Sequence, residues 1–247
     1  MQIKEISAKS ILSTSQIYDY VINPYVGCQH GCSYCYARFM KRFTGHREPW
    51  GEFVDVKINA AELLRREIEK KKRGEVWVSG VCDPYQPVEE HYRLARGCLE
   101  ILFEHDWPVT IQTRSPLVLR DLDLFKRAKY LNVGLSIPTA NDEIRRIFEP
   151  HAPSIPERLR AIQALHRERI RTYVMIAPLL PEAEGLVKLV AEQVDYLIVD
   201  RMNYHYADWV YAKHGWKDLN SDHYFRIMGD KIAAECQQHG IDCQLVY

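Results

Sequence analysis

The chain has 247 residues, 47% hydrophobic and 27% charged, a balance typical of globular proteins and unlike that of disordered chains. Lys+Arg and Asp+Glu both number 33, so the formal net charge is zero and predicts no general attraction to phosphate backbones or anionic lipid. No stretch approaches the roughly 18 apolar residues of a membrane span, and the first residues lack the apolar core of a signal peptide. We therefore expect a cytoplasmic protein without a membrane-spanning segment.

Apolar runs bounded by turn residues alternate with segments of helical period, a pattern typical of repeated βα units around a parallel sheet. The predicted strands are residues 18–23, 75–81, 109–113, 132–137, 171–177 and 195–200, and a closing segment, 241–246, fits a sheet edge. The predicted helices are residues 60–71, 89–105, 122–130, 155–169, 183–193 and 221–238.

Six parallel strands are too few for the eight-stranded barrel, so we predict an α/β fold with an open, partial (β/α)6 TIM-like barrel. Functional sites in such folds lie at the carboxyl ends of the strands. No linker or repeat interrupts the sequence, which predicts a single domain over residues 1–247. We expect its core at about 18–203, followed by a C-terminal cap and helix at 204–247.

Three cysteines lie close together just after the first predicted strand, in the stretch NPYVGCQHGCSYCYAR (residues 23–38). Cys28, Cys32 and Cys35 have the spacing C-x3-C-x2-C, and Gly27 and Gly31 suit the tight turns of a metal-binding loop. Three thiolates leave one iron of a four-iron cluster able to bind another ligand, as in catalytic metal sites. The spacing therefore favours an open iron-sulfur site.

A structural zinc site is the alternative for these cysteines, with His30 or a distant histidine as fourth ligand. Zinc ligands usually come as two pairs separated by a longer spacer, and the sequence has no second cysteine pair. An electron-transfer protein is a further rival, although three cysteines leave a cluster iron exposed. Cys98, Cys236 and Cys243 fall on apolar faces of predicted elements and are expected in the core.

The pattern C-x3-C-x-aromatic-C, with Tyr34 as the aromatic residue, is the signature of radical S-adenosylmethionine (SAM) enzymes, which this chain resembles. Within that superfamily it is similar to the spore photoproduct lyase family, also described as DNA repair photolyase-like. The further matching stretches are DPYQP (83–87), TRSPLVLRDLDLF (113–125), EPHAPSIPERL (149–159) and IAPLLP (176–181).

This resemblance implies a [4Fe-4S] cluster held by Cys28, Cys32 and Cys35 and a molecule of SAM bound to its open iron. An electron from the cluster then cleaves SAM to methionine and a 5′-deoxyadenosyl radical, which abstracts a hydrogen atom from the substrate. An electron donor such as flavodoxin or ferredoxin is the implied partner.

The resemblance also implies which residues bind the cofactor. Ser79 and Gly80 are expected at the methionyl amino group, Arg114 and Ser136 at the carboxylate and ribose, and Ala177 and Pro178 at the adenine; Tyr34, Asp83, Glu149 and Arg158 complete the set. The fork of an arginine suits a carboxylate, although lysine is the commoner family residue at Arg114. Glu149 and Arg158 form a pocket ion pair in this interpretation; the alternative is a helix-start charge and a solvated arginine.

Two residues are expected to act on the substrate. In the family's lyases a cysteine near the second strand returns a hydrogen atom to the product, and Cys82 is the nearest thiol here, with a buried structural thiol as the alternative. Tyr85, within DPYQP, is the second expected catalytic residue.

The segment DRMNYHYADWVYAKHGWK (200–217) mixes aromatic and basic residues directly after the sixth predicted strand. A base would stack on Tyr204, Tyr206, Trp209 and Trp216, and phosphate would meet Arg201, His205 and Lys213, as in single-strand binders. The alternative is an aromatic cap that packs over an incomplete barrel.

The resemblance implies a nucleic-acid base or modified nucleotide as the substrate. A peptide or a small metabolite is the enzymatic alternative, and a zinc-stabilised binding module without catalysis is the alternative from another class.

Overall fold

Runs of β-branched and apolar residues form most of the strands in the computed structural model, which describes residues 1–247. The strands are β1 (Gln2–Ile6), β2 (Leu12–Thr14), β3 (Tyr20–Ile22), β4 (Tyr25–Val26), β5 (Phe53–Lys57), β6 (Val76–Val78), β7 (Val109–Thr113), β8 (Leu131–Ser136), β9 (Arg171–Ile176), β10 (Tyr196–Val199) and β11 (Asp242–Leu245).

Nine α-helices and five 3₁₀ helices connect these strands. The α-helices are α1 (Ala60–Ile68), α2 (Glu89–Tyr92), α3 (Leu94–Glu104), α4 (Leu122–Phe125), α5 (Asp142–Phe148), α6 (Ile155–Arg167), α7 (Leu186–Val190), α8 (Asp208–Lys213) and α9 (Asp222–Gln238). The 3₁₀ helices are Tyr36–Phe43, Pro116–Asp121, Ala183–Gly185, His205–Ala207 and Lys217–Leu219.

Two units make up the chain. The first comprises Met1–Gly31 and Ala37–Val133, and the second comprises Cys32–Tyr36 and Gly134–Tyr247. The single domain over 1–247, its core and its C-terminal cap stay predictions.

In the first unit the strand order is β2-β3-β6-β7, followed by the first residues of β8. Strands β3, β6 and β7 are parallel, and β2 pairs antiparallel with β3 at the edge. A second sheet has the strand order β1-β5-β4, and its strand β4 directly precedes the cysteine loop.

In the second unit the last residues of β8 are followed by β9, β10 and β11. The pairs β9–β10 and β10–β11 are parallel, and Val199 aligns with Ile176 in register. The closing strand β11 confirms the predicted sheet edge. Because β2 and β11 each have one neighbour, the strands do not close, and the predicted open α/β architecture is confirmed.

Several expected elements differ from the structure for physical reasons. The predicted helix 89–105 divides into α2 and α3 because Arg93 adopts a left-handed conformation with φ +51°. The predicted helices 122–130 and 183–193 shorten to α4 and α7, each preceded by a 3₁₀ turn. Strand β1 escaped prediction because its side chains are almost all exposed, which leaves no apolar alternation in the sequence.

Every helix of the structure is too short or too polar to cross a membrane.

Candidate functional site

The cysteine loop begins directly after a strand that is paired with its neighbour. Strand β4 pairs antiparallel with β5, and Cys28 follows two residues later as a buried thiol. Gly27 has φ +91°, and a Cβ there would lie 2.3 Å from the carbonyl oxygen of Phe53. Only glycine allows this close approach, so the backbone can turn sharply just before the first cysteine.

Two glutamine side chains hold the first half of the loop. The Gln29 amide donates to Gln86 Oε1 at 2.9 Å, and Gln86 Nε2 donates to the Gly27 carbonyl oxygen at 3.2 Å. The Val88 amide donates to Gln29 Oε1 at 2.6 Å. The cysteine loop and the DPYQP turn therefore form one hydrogen-bonded structure. Sequence reasoning missed both glutamines, although each lies inside a matched stretch and could have been found there.

Asp83 is surrounded by donors from three parts of the first unit. Its carboxylate accepts from Thr113 Oγ1 at 2.5 Å, from the Arg114 amide at 2.7 Å and from the Tyr85 amide at 2.9 Å, and His30 Nε2 lies 3.2 Å away. Burial alone would raise the pKa of Asp83, but His30 and these hydrogen bonds lower it to about 2. Asp83 thus fixes His30 and the end of β7; its predicted contact with the cofactor stays a prediction.

The second half of the loop belongs to the second unit. The Cys35 amide donates to the Cys32 carbonyl oxygen at 3.2 Å, and the Ser33 amide donates to the Phe148 carbonyl oxygen at 2.8 Å. Cys32 and the ring of Tyr34 are buried in an apolar cluster with Phe148, while Cys35 packs at its edge, partly exposed. Backbone bonds and apolar packing together fix the second and third cysteines.

Glu149 and Arg158 form the predicted ion pair, and both side chains are completely buried. Arg158 Nη2 donates to Glu149 Oε2 at 2.5 Å, and the Tyr34 hydroxyl donates to Glu149 Oε1. Arg158 also donates to the carbonyl oxygens of Ser136 at 2.8 Å and Pro153 at 3.0 Å. The pair therefore links the aromatic residue of the cysteine motif to the end of β8, and the solvated-surface alternative is wrong.

Asn23, just after β3, organises the turn that follows β6. Its Oδ1 accepts from Ser79 Oγ at 2.8 Å and from the amides of Gly80 and Val81, each at 2.9 Å. The hydroxyl proton of Ser79 and the amide proton of Gly80 are thus committed to Asn23. An ammonium group needs acceptors, and this turn offers its backbone carbonyl oxygens and a lone pair of Ser79 Oγ.

Cys82 lies beside the same turn. Its Sγ is 2.9 Å from Ser79 Oγ, and because Ser79 donates to Asn23, the thiol donates to Ser79. Burial raises the pKa of Cys82 to about 11, although the Ser79 contact opposes the shift. Cys82 is therefore a protonated thiol at neutral pH.

Tyr85 is fully buried within a network of charged groups. Its hydroxyl donates to Asp121 Oδ2 at 2.9 Å, and Arg120 bridges Asp121 at 2.8 Å and Glu89 at 2.7 Å. The Tyr25 hydroxyl also donates to Glu89. Burial, followed by the charge of Asp121, holds the pKa of Tyr85 well above its ordinary value. These contacts favour a positioning role for Tyr85; its catalytic role stays a prediction.

The remaining expected SAM residues lie at the carboxyl ends of strands. Ser136 is the last residue of β8 and is buried, while Ala177 and Pro178 directly follow β9. Arg114 directly follows β7 in the first unit, where its amide is held by Asp83. The positions agree with strand-end sites in parallel α/β folds, and the contacts with SAM stay predictions.

The segment 200–217 divides between a buried part and an exposed part. Trp216 packs on Phe148, with ring centroids 6.4 Å apart, at the edge of the apolar cluster around Cys32. Tyr204 and Tyr206 are exposed and stacked, with centroids 6.1 Å apart, and Trp209 is exposed as well. Trp216 therefore fits the alternative of a packing cap.

The basic residues of this segment differ in their surroundings. Arg201 Nη1 donates to Asp222, and His205 Nδ1 lies 3.0 Å from Asp208. Lys213 is exposed. Arg201 and His205, two of the three residues expected to contact phosphate, are thus paired with carboxylates. Phosphate binding by this segment stays a prediction.

The donor set of the loop fits an iron-sulfur cluster. Cys28 and Cys32 are buried thiols, Cys35 is a partly exposed one, and two glycines with positive φ, Gly27 and Gly31, give the loop its turns. His30 Nδ1, in the same loop, is buried without a hydrogen-bond partner, as expected where a bound group completes the surroundings. Thiolates are the ligands that iron-sulfur clusters require.

A family model described as "Radical SAM superfamily" matches residues 22–191, more than half of the chain. The chain belongs to the radical SAM superfamily. An uncharacterized protein of Methanocaldococcus jannaschii is 33% identical over 215 residues, which cover 86% of this chain and 79% of that protein. A "Radical SAM Nalpha-GlyT isomerase" of Pseudomonas phage M6 is 28% identical over 160 residues, covering 64% of this chain and 32% of that protein.

Two solved structures share the fold. Spore photoproduct lyase complexed with a dinucleoside spore photoproduct matches with a TM-score of 0.74 and 14% identity, covering 99% of this chain and 82% of that one. Streptococcus suis SuiB bound to its precursor peptide SuiA matches with a TM-score of 0.64 and 16% identity, covering 92% and 48%. The likeness to spore photoproduct lyase predicted from the motifs is confirmed at the level of the fold.

Proposed function

We propose that this chain is a radical SAM enzyme whose [4Fe-4S] cluster is held by Cys28, Cys32 and Cys35, and whose substrate is a nucleic-acid base or modified nucleotide. When bound, the cluster and SAM together supply a carbon-centred radical that takes a hydrogen atom from the substrate. The observation that carries the proposal is a three-cysteine loop, with Cys28 and Cys32 buried, in a chain of this superfamily, fixed by hydrogen bonds on both halves.

Residues around the loop position its thiols. Gln86 and His30 hold the first half, and Tyr34, anchored on Glu149, holds the second. Buried surroundings also limit the access of water and oxygen to the cysteines, which protects a cluster with an open iron.

Each of the expected SAM-binding residues would bind a different chemical group of the cofactor. The 79–80 turn would accept from the ammonium group of SAM, and the guanidinium of Arg114 would bind its carboxylate. Ser136 would contact the ribose, and the backbone at Ala177 and Pro178 would contact the adenine. Glu149 and Arg158 act on this site through Tyr34 and through the Ser136 carbonyl oxygen.

Cys82 is the proposed hydrogen-atom donor to the product radical. The S–H bond breaks and a C–H bond forms on the product, which leaves an unpaired electron on sulfur. One electron from a donor such as flavodoxin or ferredoxin, together with one proton, restores the thiol. The protonated state of Cys82 at neutral pH supports this role because a thiolate carries no hydrogen atom to give.

The choice of a nucleic-acid substrate is supported by relatives. The solved spore photoproduct lyase holds a dinucleoside photoproduct in the same fold. The peptide-bound SuiB structure supports a peptide as the alternative substrate, with a lower TM-score.

Metal analysis of protein purified without oxygen tests the cluster assignment. We expect iron and sulfide with absorbance near ~400 nm, lost in C28A, C32A and C35A. C98A is the matched control, because Cys98 is a buried thiol of α3 outside the loop. One zinc per chain without iron, in protein handled anaerobically throughout, would establish the zinc-stabilised module instead.

A further inference from the structure

Three tyrosines of the second unit form a continuous stack that is open to solvent. The rings of Tyr36 and Tyr204 are 5.9 Å apart with an interplanar angle of 20°, and those of Tyr204 and Tyr206 are 6.1 Å apart at 19°. Tyr204 is 51% exposed, and Tyr36 and Tyr206 are each 37% exposed. We call Tyr36, Tyr204 and Tyr206 the tyrosine stack.

Residues next to the tyrosine stack in the chain are held in place by packing and hydrogen bonds. Ala207 and Tyr211, which follow it in the chain, are buried in the apolar cluster that contains Cys32 and Tyr34. His205 Nδ1 lies 3.0 Å from Asp208, whose other oxygen accepts from Asn220 Nδ2 at 3.0 Å. Aromatic rings held in place lose little conformational entropy when a ligand stacks on them.

The position of the tyrosine stack connects it to the proposed site. Tyr36 is bonded directly to Cys35, and the segment with Tyr204 leaves the carboxyl end of β10 through Asp200. Asn203 Nδ2 donates to Asp200 Oδ2 at 2.8 Å, while Asp200 Oδ1 is buried without a hydrogen-bond partner. The segment that carries Tyr204 and Tyr206 thus begins at a strand end, where parallel α/β folds bind ligands.

Core packing does not account for this exposure. Trp216 and Tyr211, from the same segment, are the residues that cover Phe148. A contiguous exposed aromatic surface on an otherwise ordinary globular protein marks an interaction site.

We propose that the tyrosine stack binds a flat base of the substrate, taken from a single strand or turned out of a duplex. This inference rests on the proposed function and names where its substrate docks. Stacked tyrosines accept any base through its π-face.

Charge around the tyrosine stack predicts how binding responds to salt. Arg201 and His205 are paired with Asp222 and Asp208, so the neighbourhood offers few unpaired cations to phosphates. Binding should therefore depend on the base more than on the backbone and weaken little as salt rises.

A binding titration with the cluster-loaded protein tests the inference. The probe is a fluorescein-labelled single-stranded octanucleotide, in DNA and RNA forms, and the matched probe is an abasic octanucleotide of the same charge. We expect the base-bearing probe to bind at least tenfold more tightly, and Y204L or Y206L to lose about five- to a hundredfold in affinity. Y204F should retain binding, and Y130L should leave it unchanged, because Tyr130 is 56% exposed but belongs to the first unit, outside the tyrosine stack.

Equal binding of the abasic and base-bearing probes, or undiminished binding by folded Y204L and Y206L, would overturn the inference. Tighter binding of peptides than of either oligonucleotide would do the same and favour a peptide substrate. Formation of 5′-deoxyadenosine by the unmodified protein is measured alongside. If that product forms but bases do not bind, this inference fails while the radical SAM chemistry of the proposed function stands. If the product does not form, the proposed function fails.

Discussion

Arg158 donates from Nη2 to Oε2 of Glu149 at 2.5 Å, and neither side chain has any exposure to solvent. The Tyr34 hydroxyl occupies the other carboxylate oxygen. A buried pair of this kind is costly to break from one side, because the remaining charge loses its partner in a low-dielectric interior.

We expect E149Q and R158M each to lower the free energy of unfolding by about 3 to 5 kcal/mol. The double variant E149L/R158M should recover most of the loss, since it removes both charges together. Chemical denaturation of the three variants measures this, and iron content reports whether Tyr34 still supports the cysteine loop. A double variant as unstable as the singles would contradict the pairing.

Asn23 gives a second prediction, directed at SAM binding. N23A removes the acceptor of three hydrogen bonds from the 79–81 turn, and each bond contributes about 0.5 to 1.5 kcal/mol. We expect the KM for SAM to rise about tenfold or more while iron content stays unchanged. N23D keeps the acceptor oxygen and serves as the matched control. An unchanged KM for SAM in folded N23A would show that the 79–81 turn is not part of the SAM site.

Substitution of Arg114 tests whether its side chain binds the carboxylate of SAM. R114M should weaken SAM binding about 10- to 100-fold through the loss of a charge-assisted contact, and R114K should retain most of the affinity. Because the bond to Asp83 is made by the Arg114 backbone amide, both variants keep that bond. Equilibrium binding of SAM to the cluster-loaded proteins separates these outcomes, and equal affinity in R114M would assign the carboxylate elsewhere.

His46 predicts a pH dependence of stability in the first unit. Its ring nitrogens lie 3.0 Å from Glu48 and 2.9 Å from Asp55, and the ring stacks on Phe53. Burial lowers the pKa of His46, but the hydrogen bonds and charges of Asp55 and Glu48 prevail and raise it above the ordinary 6.5.

A raised pKa means that His46 stabilises the fold fully below pH 6.5 and loses this contribution as the pH rises through the folded-state value. The difference in unfolding midpoint between the wild type and H46Q should therefore be largest near pH about 6 and shrink by pH about 8. A difference that grows with pH would contradict the pairing with the carboxylates.

The sequence predicted the strand-end architecture because β6, β7, β9 and β10 are rich in apolar and β-branched residues that leave a periodic signal. It did not predict β5, whose buried run contains Asp55, since a charged residue obscures an apolar run. Arg93 was unforeseen as a helix break because nothing in a single sequence marks a left-handed arginine.

Site residues that lie within the matched motifs could be predicted from the sequence. Roles that depend on partners distant in the sequence could not. The three cysteines and the Glu149–Arg158 pair follow from the matched stretches. The role of Asp83 differs, because its oxygens are filled by Thr113, Arg114 and Tyr85 rather than left open. The bonds of Asp83 to Thr113 and Arg114 join residues about thirty positions apart, and periodicity carries no information about them.

The central claim is that this chain cleaves SAM reductively at a cluster held by Cys28, Cys32 and Cys35. The most direct test is to reconstitute the protein anaerobically, reduce it, add SAM and quantify 5′-deoxyadenosine. We predict that the wild type and C98A form it and that C28A, C32A and C35A do not. A reduced wild-type protein that retains its iron and forms no 5′-deoxyadenosine would contradict the account.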